Sequence, residues 1–92
     1  MIELLKKANE LFELGNIDES LFLTEEVLKM NDKDVEALIL LSKIFYKNQE
    51  WGKSLNCLNK ILDIQPGNNI ALNYKQMVLN ILTFWNKDNY NP

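Results

Sequence analysis

The chain has 92 residues, 47% of them apolar and 25% charged, with a net charge of −3. This composition describes one globular domain rather than a disordered segment, and no apolar run nears the eighteen or so residues of a membrane span. There is no histidine, so the usual neutral-pH proton shuttle and commonest metal ligand are missing, and ten lysines with no arginine in an acidic chain suit nucleic acid poorly.

In chain order, apolar spacings of three and four residues predict five helices. The first spans 2–14, with Leu4, Ala8 and Leu11 on one face, and stops at Gly15-Asn16. Asn16-Ile17-Asp18-Glu19 places an acid three positions after a capping residue and opens the second helix, 17–30. Asn31-Asp32 ends it, and the third helix covers 34–48. Gln49-Glu50 breaks the pattern again before the fourth, 52–64, which carries Leu55, Leu58, Ile61 and Leu62. Pro66 and Gly67 block its extension, and the fifth helix spans 69–85. The tail NKDNYNP has no periodicity, so 86–92 is expected to be disordered. Connections of three to five residues require consecutive helices to pack antiparallel.

The helices repeat. A shift of 34 residues lays Leu4 on Leu38, Ser20 on Ser54, Leu21 on Leu55 and Leu28 on Leu62. Ala8 with Ser42, Leu11 with Phe45, Phe12 with Tyr46, and Ile17 with Trp51 keep their character at the same offset. A second shift places Ala37 and Leu38 on Ala71 and Leu72. A 34-residue helix–turn–helix unit carrying Gly15-Asn16-Ile17-Asp18-Glu19-Ser20-Leu21 resembles the tetratricopeptide repeat. Small positions stay small and apolar ones mostly apolar, whereas Lys7, Thr24 and Asp32 depart from the family pattern. The resemblance covers repeats 1–34 and 35–68 and a terminal helix, 69–85. It implies an all-α, right-handed stack of antiparallel helix pairs, and a non-catalytic scaffold for protein partners.

In that family the first helices of the repeats line a concave groove for extended or helical peptides. Carried over by repeat position, the groove comprises Leu5, Lys6, Asn9 and Phe12, then Ile39, Leu40, Lys43 and Tyr46, then Tyr74 and Met77, with Ile2, Glu13, Lys47, Ile70, Asn73, Asn80 and Ile81 around them. Such a surface suits the apolar face of an amphipathic helix. The competing reading makes Leu5, Ile39 and Leu40 core residues. The family's lysine–asparagine–arginine clamp for acidic chaperone tails is matched only at Asn9; Leu5, Leu40, Ile70 and Tyr74 hold the other places. A related RNA-binding family has 35-residue units, and both the period and the acidic charge speak against it.

The two ends differ. Where the second repeat presents apolar Ala37, Leu41 and Ile44 to its predecessor, the first helix carries Glu3, Lys7 and Glu10, as expected at the start of an array. The last helix is apolar over most of its circumference: Ala71, Val78 and Leu82 face the previous repeat, Leu72 and Leu79 point to the place of a sixth helix, and Ile70, Tyr74, Met77, Ile81 and Phe84 form a further stripe. Self-association through Ile70, Leu72, Leu79, Ile81, Phe84 and Trp85 would cover it, giving a homo-oligomer. The alternatives are that the chain is a piece of a longer array, that Trp85 and Tyr90 fold back as a lid, or that the apolar surface is tolerated as it stands.

Nothing else points to chemistry. Cys57 lies on the apolar side of the fourth helix without a base and reads as a buried structural thiol. Glu25 and Glu26 splay about 100° apart, Asp32–Asp34 is a capping loop rather than a calcium loop, and the glycines are isolated. We therefore expect no enzyme, cofactor, metal, nucleic acid or membrane. A protein or peptide partner is expected, in a cytoplasmic setting that a lone cysteine and a start without a secretory pattern both fit.

Overall fold

The computed structural model describes the backbone of residues 2–90 and the side chains of residues 2–84. Five helices follow one another: α1 (Ile2–Glu13), α2 (Ile17–Met30), α3 (Val35–Lys47), α4 (Trp51–Ile64) and α5 (Asn69–Tyr90). No strand occurs among the described residues. The first four helices begin and end within one residue of their sequence expectation. The last runs to Tyr90, so the backbone of 86–90, expected to be irregular, is helical. The reason lies in the turn that ends α1 and α3, which has no counterpart in α5.

That turn is built twice in the same way. Gly15 has φ 85° and Gln49 φ 61°. The Asn16 amide donates to the Leu11 carbonyl at 2.8 Å and the Gly15 amide to Phe12; Glu50 donates to Phe45 at 2.8 Å and Gln49 to Tyr46. These paired bonds around a left-handed residue satisfy carbonyls that the helix end leaves open. The equivalent place in α5 is Thr83, and the helix continues through it.

The 34-residue correspondence extends to side chains. The Ser20 hydroxyl donates to the Ala8 carbonyl at 2.7 Å, and Ser54 donates to the Ser42 carbonyl at 2.9 Å. Ser20 and Ala8 lie on opposite sides of their turn, as do Ser54 and Ser42, which makes each pair of helices an antiparallel hairpin. All four residues are buried, and their small size lets the helices approach closely. Among the described residues no buried side-chain nitrogen or oxygen lacks a hydrogen-bond partner. Asp34 accepts from the Ala37 amide at 3.0 Å and Asn68 from Ala71 at 2.9 Å, so α3 and α5 are capped identically. Asn16, by contrast, makes no side-chain cap bond to α2.

Two apolar clusters hold the helices together. Leu5, Ala8, Val27, Ala37, Leu40 and Ile44 join the first hairpin to α3. Leu38, Leu58, Ile61, Ala71 and Val78 join the second hairpin to α5. Each helix packs on the next, and α3 also meets α1 and α5. The first helices of the three units thus lie side by side. Glu3, Lys7 and Glu10 are all exposed on the far side of α1.

Candidate functional site

The row α1–α3–α5 is where the repeat positions assigned to a groove come together. A depression of about 320 Å³ is lined by Asn9 from α1, by Glu36, Ile39, Leu40 and Lys43 from α3, and by Ile70 from α5. A second depression of about 210 Å³ adjoins it at Asn9 and Glu36, and adds Ile2, Leu5, Lys6 and Asp34. The two form one continuous hollow across the ends of α1 and α3.

Two of the expected contact residues serve differently. Leu40 is only 2% exposed and Leu5 8%, and both belong to the first core cluster. They form the floor of the hollow and are not free contact groups, because their helical positions fall between the core and groove sectors and tight packing against Val27 and Ile44 claims them. Ile39 and Phe12 are half-buried at the margin of the core, while Lys6 and Asn9 are exposed. The Asn9 amide donates to the Leu5 carbonyl one turn back at 3.0 Å. Glu36 was not anticipated. Its spacing of three and seven residues to Ile39 and Lys43 places it on their face of α3, and that spacing was the available signal.

Next to Lys43, outside the lining of the hollow, Tyr46, Tyr74 and Trp51 form an aromatic group. The Tyr46 ring meets Trp51 edge-on with centroids 5.1 Å apart, and Tyr74 at 5.5 Å and 87°. The Lys43 ammonium lies 5.9 Å from the Tyr74 ring centre. Burial pushes the Tyr74 hydroxyl above the usual tyrosine range, and the neighbouring Tyr46 adds to this. The group ties α3, α4 and α5 together, and Lys43, which lines the hollow, lies against it.

On α5, Ile70 is 47% exposed, Leu72 44% and Met77 42%. Leu79 and Ile81 are half-buried and Phe84 is exposed; the Trp85 and Tyr90 side chains lie outside the described residues. Ile70 belongs to the hollow as well as to the face expected to self-associate. Leu72 and Leu79 lie on the other side of the helix. Leu72 corresponds to Leu38 and Leu4, which pack in the two core clusters, and Leu79 to Phe45 and the buried Leu11, whereas the place of Ala8 and Ser42 is taken by Gln76, which is exposed and donates to Asn80 at 2.9 Å.

Cys57 is buried, and its thiol is raised to about 11 by burial, with Lys60 pulling weakly in the opposite direction. Among the described residues no group of three histidine, cysteine or acidic side chains could hold a metal ion, and no helix is long and apolar enough to cross a membrane.

No family of known proteins, no curated protein and no solved structure matches this chain.

Proposed function

We propose that this chain is a tetratricopeptide-type module, a right-handed stack of helix hairpins, acting as a non-catalytic scaffold. It holds a peptide segment or amphipathic helix of a protein partner in the hollow along α1, α3 and α5. The observation that carries this reading is the hollow itself: apolar Ile39 and Ile70 line it over a Leu40 floor, with the polar Asn9 and Glu36 and the cation of Lys43 around them. Support for the family comes from the paired Ser20–Ala8 and Ser54–Ser42 bonds, since they repeat at the 34-residue period. An apolar stripe on the partner would settle on Ile39, Ile70 and Met77, and an acidic group would meet Lys43 or Lys6. This is the arrangement of a helix laid in a groove.

The test is selection from a displayed library of random peptides against the folded protein, followed by affinity measurement on two variants. Ile39→Asp combined with Met77→Asp should weaken the selected peptides by roughly a hundredfold, as expected when two anchor contacts are lost. Phe22→Asp, on α2 and away from the hollow, should leave them unchanged. Peptides indifferent to the first variant overturn the assignment of the groove.

A second reading rests on the exposure of Ile70, Leu72 and Met77. Here the chain is a structural element that pairs with itself or extends an array through α5, with no separate ligand. Alanine substitutions along α5 that leave an observed oligomer intact would remove it.

A further inference from the structure

We propose that the exposed face of α2 is a second docking surface, which takes an arginine- or lysine-bearing amphipathic segment of another protein around Phe22. This surface shares no residue with the hollow and does not depend on the groove reading. Phe22 is 62% exposed. Its neighbours on the helix surface, three and four residues away on either side, are Asp18, Glu19, Glu25 and Glu26. One aromatic ring is thus surrounded by four carboxylates. Depressions lie on both sides of it. One, of about 310 Å³, reaches Leu11 and Leu23, and the other, of about 570 Å³, reaches Leu28 and Leu41. Apolar footing therefore lies beside an acidic rim.

The second unit shows that the fold does not require this arrangement. At the same positions α4 carries Gly52, Lys53, Asn59 and Lys60 in the acidic places, and the exposed Asn56 in place of Phe22. Residues 1–34 hold nine acidic side chains against four lysines, whereas 35–68 hold three against four. Asp18 and Glu19 also favour the start of α2 by lying in its first turn. Glu25 has no such role, and it makes no ion pair among the described residues. Of the lysines lining the depressions, Lys29 is held by Glu26 at 3.1 Å, so Lys7 alone stands against the other three carboxylates.

That charge selects the occupant. An apolar or acidic segment would strip the carboxylates of water without giving them partners. A basic one supplies the partners, its cation can lie over the Phe22 ring, and its apolar residues can enter the depressions. The same chemistry occurs within the chain, where the Lys53 ammonium lies 5.7 Å from the Phe45 ring centre. A second copy is the poorer occupant. The exposed Lys53 and Lys60 of its α4 have Asn56 between them where an apolar anchor is needed, and Lys53 is already held by Glu50.

The probe is a leucine–arginine amphipathic helical peptide, with a counterpart in which citrulline replaces every arginine, titrated calorimetrically into the full chain. The arginine peptide should bind, and the citrulline peptide should bind roughly tenfold more weakly or not at all. Phe22→Ala should weaken the arginine peptide by roughly tenfold and Glu25→Gln by about threefold. Glu10→Gln removes the same charge from the exposed face of α1 and should change nothing. Phe22, Glu25 and Glu10 are all exposed, and thermal melts by circular dichroism check that each variant stays folded. Absence of binding overturns the proposal, as does binding that survives Phe22→Ala. Equal weakening by Glu10→Gln and Glu25→Gln reveals attraction to net charge alone and also overturns it. A peptide lost in the combined Ile39→Asp and Met77→Asp variant but not in Phe22→Ala sits in the hollow, which overturns this proposal and leaves the proposed function standing. Loss in Phe22→Ala with retention in the combined variant supports the second surface whether or not the groove has a ligand.

Discussion

At the scale of single residues, the two copies of the unit provide their own controls. Gly15 and Gln49 occupy the same left-handed position in the same turn. A side chain there costs about 1 kcal/mol relative to glycine, since its Cβ crowds the following carbonyl. A Cβ at Gly15 would meet nothing within 4 Å, so backbone torsion alone sets the penalty. Gly15→Ala should therefore destabilise by about 1 kcal/mol, while Gln49→Gly should stabilise by about 0.5–1 kcal/mol, part of the gain being offset by the freer unfolded chain. Urea melts of the two variants should move in opposite directions; movement in the same direction would show that the turns are not equivalent. Cys57 supplies a second residue-scale expectation. Its folded pKa, about 11, lies above the reference value of 9.0, so the neutral thiol is the form that the fold prefers. The associated stability is complete below pH 9 and is lost as pH rises towards 11, on the order of 2–3 kcal/mol in all. Tyr74, also raised, acts in the same direction at higher pH. Urea midpoints of the wild type should fall across this window, and those of Cys57→Ala should fall distinctly less.

At the scale of elements, the caps separate what asparagine can do from what it does. Asn68 and Asp34 accept from the third amide of their helices, and Asn16 does not. Replacing Asn68 or Asp34 by alanine should cost about 1 kcal/mol each, whereas Asn16→Ala should cost a few tenths. Equal losses at all three positions in thermal melts would contradict the geometry. The contrast also marks how far sequence carries. Helix limits were legible because each break carries its own chemistry: Gly15 and Gln49 at left-handed turns, Pro66 and Gly67 after α4. The equivalence of Ser20 with Ser54 was legible as conserved size within the chain, although only the structure reveals that both hydroxyls bond a neighbouring helix. The end of α5 was not legible. Periodicity reports burial, and a helix can continue past its packed region when no breaker stops it. Leu5 and Leu40 line the hollow and belong to the core at once, and repeat position alone left both readings open because it fixes a side chain's direction only to within a sector. The Tyr46–Tyr74–Trp51 group joins three helices, and no spacing within one helix encodes it.

At the scale of the whole molecule, α3 is the helix on which the others depend. It packs against α1, α2, α4 and α5, whereas α2 and α4 do not approach each other at the backbone level. Its buried residues are divided between the clusters, with Leu40 and Ile44 in the first and Leu38 in the second. In stacked repeats, stability is approximately the sum of each unit and its contacts with neighbours, so the ends can open while the centre persists. Native-state hydrogen exchange should thus give the slowest amides in α3, close to the global unfolding free energy, with α1 and the outer turns of α5 exchanging through smaller openings. Ile44→Ala, which empties a fully buried position between α3 and the first hairpin, should cost about 2–5 kcal/mol. Because Ile44 contributes to the first cluster and not the second, its loss should lower protection in α1 and α2 more than in α4. If protection fell evenly along the chain, the two clusters would be one cooperative unit. The hollow, which runs across all three units, would then be as rigid at its α1 end as at Lys43 and Ile70. Graded protection makes the α1 end of the hollow, at Lys6 and Asn9, the compliant part, while Tyr46 and Tyr74 beside Lys43 hold their positions.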